Sequence, residues 1–185
     1  GYTMVYGIAR MLNFAHGDII MVGGFAIFTA VSTMGLPPLI GILIGVVVCT
    51  VLGVVIETIA YRPLRGASSL AVLITAIGVS YLLQNIALLV FGSNARQFTS
   101  VVNVPSLKLA GGQLSVSGVT LVTIATCIII MVALTTFIKK TKIGQAMLAV
   151  SEDKGAATLM GINVNRTIAI TFAIGSALAA VAGAL

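Results

Sequence analysis

Long apolar runs separated by short polar or basic segments organise this chain. Five such runs occupy residues 18–31, 39–60, 69–91, 119–138 and 167–185. Crossing ~30 Å of hydrocarbon takes about 20 apolar residues in a helix, so these runs predict membrane spans. The first run is short, and residues 1–14 ahead of it are also apolar. The two read together as one broken pair. Pro37-Pro38 marks a turn before the second run. Short segments of alternating polarity, the mark of a membrane β-barrel, are missing. The predicted class is all-α: a polytopic helical membrane protein with about five spans, forming a single transmembrane domain over residues 1–185.

Composition agrees. Of 185 residues, 59% are apolar and 8% charged, and the mean hydropathy is +1.18. A soluble domain carries roughly a quarter charged residues. The net charge of +6 does not point to nucleic acid, because the cations sit between the spans and no stacking aromatics interleave with them. Arg62 and Arg65 follow the second run, and Lys139, Lys140, Lys142, Lys154 and Arg166 follow the fourth. Arg96 and Lys108 share the long 92–118 loop on the opposite side. The positive-inside bias assigns the two short basic loops to the cytoplasm. The 92–118 loop is then extracytoplasmic, with a turn or small hairpin at Gly111-Gly112. Cys49 and Cys127 both fall in spans and read as small apolar packers. His16 is the lone histidine, and no metal or cofactor site is expected. The chain starts at Gly1 and stops inside an apolar run, so it reads as a piece of a longer protein.

Two rows of small residues recur every fourth position: Gly41, Gly45, Cys49 and Gly53, then Gly175, Ala179 and Gly183. Such rows let helix backbones approach closely in lipid. Tight packing within the chain is the preferred reading over a dimer seam.

The polar segment 139–166 reads as a cytoplasmic loop built round a short capped helix. Ser151 is the expected N-cap, with Glu152 and Asp153 in the first turn, where the helix dipole favours negative charge. Ala156, Leu159 and Met160 then make one small apolar face. Gly161 ends the helix as a left-handed glycine, followed by the hydrophobic Ile162. A helix so firmly bounded suits docking of a soluble partner.

Three further features sit at membrane depth. Asn13-Phe14-Ala15-His16-Gly17-Asp18 interrupts an apolar stretch. Polar residues and broken helices in a membrane line cavities or pathways, but a simple interfacial loop accounts for the pattern equally well. In the third run, Thr75, Gly78, Tyr81 and Asn85 share one arc, while Ser80 and Gln84 lie on another face. The arc either lines a path or bonds neighbouring helices. Glu57 precedes Tyr61-Arg62-Pro63-Leu64-Arg65 and is expected to pair with Arg62 or Arg65, in preference to holding a coupling ion. No G-x-x-x-x-G-K-[ST] loop and no nucleophile–base set occurs. The chain is therefore expected to have no catalytic residues, and transport through it would draw on a partner, on an ion gradient, or on neither.

Four stretches together resemble one family. They are Leu12-Asn13-Phe14-Ala15-His16-Gly17-Asp18; Glu57 with Tyr61-Arg62-Pro63-Leu64-Arg65; Leu73-Ile74-Thr75-Ala76-Ile77-Gly78-Val79-Ser80 with Gln84-Asn85; and Gly144-Gln145-Ala146-Met147 through Ser151-Glu152-Asp153 to Leu159-Met160-Gly161-Ile162. In this order they resemble the permease of bacterial ABC importers for branched-chain amino acids, the LivH type, with urea-type permeases as relatives. The resemblance implies a longer protein in the bacterial inner membrane, with one earlier span and several later ones. It implies a second, related permease, two ATP-binding cassette subunits and a periplasmic solute-binding protein as partners. It also implies that Ala149, Ser151, Glu152, Asp153, Ala156, Leu159 and Gly161 form the ATPase-contacting loop. Leu148 departs from the basic residue expected in relatives. Asn13, His16, Asp18, Thr75, Gly78, Tyr81 and Asn85 are the candidates for the translocation path. The alternative is a secondary transporter or passive channel for a small neutral solute such as urea or an amide.

Overall fold

The computed structural model describes residues 2–9, 14–92, 107–109 and 114–185. Its helices are α1 (Tyr2–Ala9), α2 (His16–Phe28), α3 (Pro38–Ile56), α4 (Ser69–Phe91), α5 (Gly118–Lys140), α6 (Lys142–Glu152), α7 (Lys154–Leu159) and α8 (Val164–Ala184). A π turn at Thr29–Thr33 extends α2, and a second at Glu57–Tyr61 extends α3 into a 3-10 turn at Arg62–Leu64. Among the described residues, five stretches are long and apolar enough to cross a membrane: His16–Thr33, Pro38–Leu64, Ser69–Phe91, Gly118–Lys140 and Val164–Ala184. The third matches its expected residues, and the others move the expected ends by about one turn at most. Between α4 and α5, strand β1 (Leu107–Leu109) pairs antiparallel with β2 (Leu114–Val116), Leu107 opposite Val116. The expected turn residues Gly111 and Gly112 lie outside the described residues.

The core is made by α2, α3 and α8, and the small-residue rows are the reason. Gly41, Gly45, Cys49 and Gly53 are all buried on one face of α3. A Cβ at Gly45 would stand 2.5 Å from Cγ1 of Ile27, and one at Gly53 would run into the Ser176 side chain. From α8, a Cβ at Gly183 would stand 2.8 Å from the Ile20 carbonyl. The Cys49 thiol donates to the Ile19 carbonyl at 3.3 Å. In lipid, helices gain nothing by hiding apolar surface from water, so such close backbone contact is what holds them together. Both rows are thus used inside the chain. Further towards the basic loops, the rings of Tyr61 and Phe172 meet at 5.5 Å between centroids.

The remaining spans are held more lightly. On α4 only Val72, Ala76, Leu83 and Ala87 are buried, a single narrow stripe. On α5 only Gly118 is buried, and its main neighbour is α6. Cys127, expected to pack, is therefore exposed, whereas Cys49 is buried as expected.

The start of the chain packs as two pieces. Helix α1 lies against α8 and α6, with Val5 and Ile8 buried. The first turn of α2 instead meets Cys49, near the middle of the 27-residue Pro38–Leu64 span. Helix α2 thus begins at about the mid-depth of its neighbour, away from either end.

Candidate functional site

Residues 139–166 fold as two short helices rather than one. Thr141 turns the chain out of α5 and caps α6, its hydroxyl oxygen accepting from the Gly144 amide at 3.0 Å and donating to the Phe137 carbonyl at 2.8 Å. The corner is tight: a Cβ at Gly144 would collide with the backbone of Ile138 and Phe137. Helix α6 buries Gly144, Met147 and Val150 along one face. It ends at Glu152, and Asp153 caps α7 from an extended conformation, φ −149 and ψ 114. One Asp153 carboxylate oxygen accepts from the amides of Gly155 at 2.7 Å and Ala156 at 3.0 Å.

This corrects the expectation that Ser151 is the cap and Glu152 a first-turn residue. Ser151 sits in the last turn of α6, and its hydroxyl donates back to the Leu148 carbonyl at 2.6 Å. Both residue types cap helices well, but a carboxylate taking two amide donors makes the stronger, charge-assisted cap. A serine within a helix turns to its own backbone instead.

The other end of α7 is as expected. Gly161 has φ +82. Its amide bonds the Thr158 carbonyl and the Ile162 amide bonds the Ala157 carbonyl, both at 3.0 Å. These are the paired bonds of a Schellman termination, and only glycine adopts that φ without strain. The inward contact is made by Ala157, which is buried, while Ile162 packs against the core. Ala156 faces outward, with Leu159 90% and Met160 82% exposed. The apolar face expected from the sequence is therefore an uncovered tip. A groove of about 510 Å³ lies beside it at the α6–α7 break, lined by residues from Val150 to Gly155.

A second polar cluster lies inside the bundle. Asp18 is buried in the first turn of α2. Ser80 donates to one of its carboxylate oxygens, and Gln84 Nε2 donates to the other at 3.0 Å. Gln84 also donates to Ser80 at 3.2 Å. Ser80 sits near the middle of the 23-residue span Ser69–Phe91, so this carboxylate lies near mid-membrane by both of its neighbours. His16 is half-buried two residues before it. Asn13 lies outside the described residues.

The chain matches, over residues 1–185, the family described as branched-chain amino acid transport system / permease component. It belongs to that permease family. It is 40% identical over all its residues to the high-affinity branched-chain amino acid transport system permease protein LivH of Salmonella typhimurium, across 63% of that protein. It is 38% identical to the corresponding permease protein BraD of Pseudomonas aeruginosa, across 64% of it. The probable LivH permease of Methanocaldococcus jannaschii is 29% identical, with 59% of its length covered. The chain thus spans less than two thirds of these relatives. No solved structure matches it.

The other path candidates of this permease-family chain lie apart from Asp18. Thr75 is half-buried, and Gly78, Tyr81 and Asn85 are exposed. A Cβ at Gly78 would meet nothing within 4 Å, and the Asn85 amide donates to the Tyr81 carbonyl of its own helix at 2.7 Å. At about 100° per residue their arc lies across α4 from the buried stripe Val72–Ala76–Leu83. The polar residues of α4 that reach the bundle are the half-buried Ser80 and the exposed Gln84, on the face to which the sequence assigns no role. Their signal was present: a serine and a glutamine four residues apart in a span, with an unpaired aspartate elsewhere in the membrane.

Glu57 meets both arginines. It is fully buried, with Arg62 Nη2 at 3.4 Å and Arg65 Nη2 on its other oxygen. Arg65 also donates to Asn165, which ties the two basic loops together at one end of the bundle. Burial pulls the Arg65 guanidinium below its usual range, while the Glu57 charge holds it up.

Proposed function

We propose that this chain is the membrane-spanning part of an ABC importer permease that carries branched-chain, aliphatic amino acids across the bacterial inner membrane. The observation that carries it is the α7 tip: an apolar knob held rigid between Asp153 and Gly161, on a chain of a branched-chain amino acid permease family. Two ATP-binding cassette subunits would seat this knob, a second permease would complete the pathway, and a periplasmic binding protein would deliver substrate. The relatives' names speak for the amino-acid substrate. The basic loops on one end, joined by Arg65 and Asn165, speak for that end being cytoplasmic.

The chemistry follows from stiffness. ATP binding brings the cassette subunits together, and a knob capped at both ends moves with them instead of unwinding. Helix α6 packs on α1 and α8, so displacement of the α6–α7 unit reaches the bundle core. The spans then exchange inward and outward access. Asp18, with Ser80 and Gln84, is the polar station we assign to the path, because a buried carboxylate at mid-membrane needs a reason to be there.

The test is leucine uptake in vesicles holding the full-length permease and its partners. Uptake should require ATP, and transport that continues unchanged without ATP would refute the importer reading. Gly161→Val should lower coupled ATPase activity and uptake together, since a β-branched residue at this φ costs roughly 1–2 kcal/mol. Unchanged coupling would remove the Gly161 turn from the mechanism.

A further inference from the structure

A groove of about 350 Å³ lies between the start of α6 and the first two turns of α8. Lys142, Asn163 and Arg166 give it a polar lining, and Ile143, Ile162 and Ile170 an apolar one. Both cations are exposed. None of the chain's 4 acidic residues lines the groove. Asn163 spends its side-chain oxygen on the Arg166 amide, at 3.0 Å, which fixes the first turn of α8 beside the groove.

We propose that this groove binds one anionic phospholipid, its phosphate between Lys142 and Arg166 and an acyl chain running over the isoleucines toward Ile170. The position chooses a lipid over a soluble anion. Ile170 lies one turn beyond Arg166 along a span that starts at Val164, about 6 Å deeper into the bilayer. The two cations are thus at headgroup level, and Ile170 carries the apolar lining into hydrocarbon. A free phosphate would satisfy the cations but leave the isoleucines uncovered. An acidic peptide from a soluble partner would have to enter the membrane to cover Ile170. The bound lipid would brace α6 against α8, beside the α6–α7 unit. The inference needs only the membrane-spanning fold, so it can fail while the transport reading stands, and the reverse.

The experiment is native mass spectrometry of the full-length permease, with and without its partner subunits, titrated with phosphatidylglycerol or phosphatidylcholine. Each juxtamembrane cation contributes roughly a fivefold gain for anionic lipid. The double variant Lys142→Gln/Arg166→Gln should therefore bind phosphatidylglycerol roughly 25-fold more weakly, with phosphatidylcholine unaffected. Lys142→Arg/Arg166→Lys should bind as wild type, and Ile170→Trp should weaken binding with both charges kept. Equal phosphatidylglycerol binding by wild type and the double glutamine variant overturns the proposal. So does displacement of the lipid by millimolar inorganic phosphate, which would mean a phosphate site, or by the partner subunits, which would mean a protein-covered face.

Discussion

Glu57 and Asp18 are both buried carboxylates in membrane-spanning segments, yet the chain holds them in different ways. Glu57 stands where α3 leaves the bundle, and two arginines neutralise it from the basic-loop side. Arg62 and Arg65 reach it with their heads toward the polar end and their stems along the helices. Asp18 stands near mid-membrane, where the donors found on it are a serine hydroxyl and a glutamine amide. The first arrangement answers a structural need. It fastens the end of α3 to the start of α8 through Arg65 and Asn165, and it puts charge where charge is tolerated. The second joins the lightly packed α4 to α2, a task that neutral polar side chains can perform in lipid without a carboxylate. A carboxylate kept at that depth is a candidate for function.

The contrast can be broken most directly by removing each acid. Asp18→Leu should cut ATP-driven uptake about 100-fold, the scale of losing hydrogen bonds to a charged group, with little change in the amount of folded permease. Glu57→Leu should do the opposite. It strands two cations, and a loss of about 3 kcal/mol of stability is expected, read as a lower melting temperature in detergent with uptake per folded molecule unchanged. If the two variants exchanged phenotypes, the assignment of roles would be reversed. Next in size, Ser80→Ala should lower uptake about tenfold by stripping one donor from Asp18, while Asn85→Ala should leave uptake within about twofold. An equal loss in both would return the path to the outer arc of α4. The smallest effect tests the Glu57 cluster from its other side. Arg62 is 41% exposed and 3.4 Å from Glu57, so Arg62→Ala should cost under about 1 kcal/mol. Arg65→Ala should cost visibly more, because Arg65 alone bridges Glu57 and Asn165.

Where sequence reasoning succeeded, a local rule had no competitor. Apolar length set the five spans. Glycine after a short helix set the Gly161 turn. The single acid near two arginines set the Glu57 pairing. Where it missed, two local solutions competed. Ser151 and Asp153 are both good caps, and only the actual path of the backbone, with two amides aimed at Asp153, chose between them. The arc on α4 was a correct reading of helical period with no means of telling which arc faced inward. Period sorts residues into faces, and neighbours decide which face is buried.

The amino-acid sequence by itself determined that this is a helical membrane protein of a permease family, which segments cross, and which residues let the helices approach. Those properties depend on hydropathy, length and residue size, all local. Tertiary structure alone decided that α2 begins at mid-depth against Cys49, that Asp18 is met by Ser80 and Gln84 from 62 and 66 positions away, and that Leu159 and Met160 are left uncovered. Each depends on how far one helix slides and turns against another. In lipid that offset is set by the fit of small residues and the need of buried polar groups for partners, and no single segment contains both sides of such a contact.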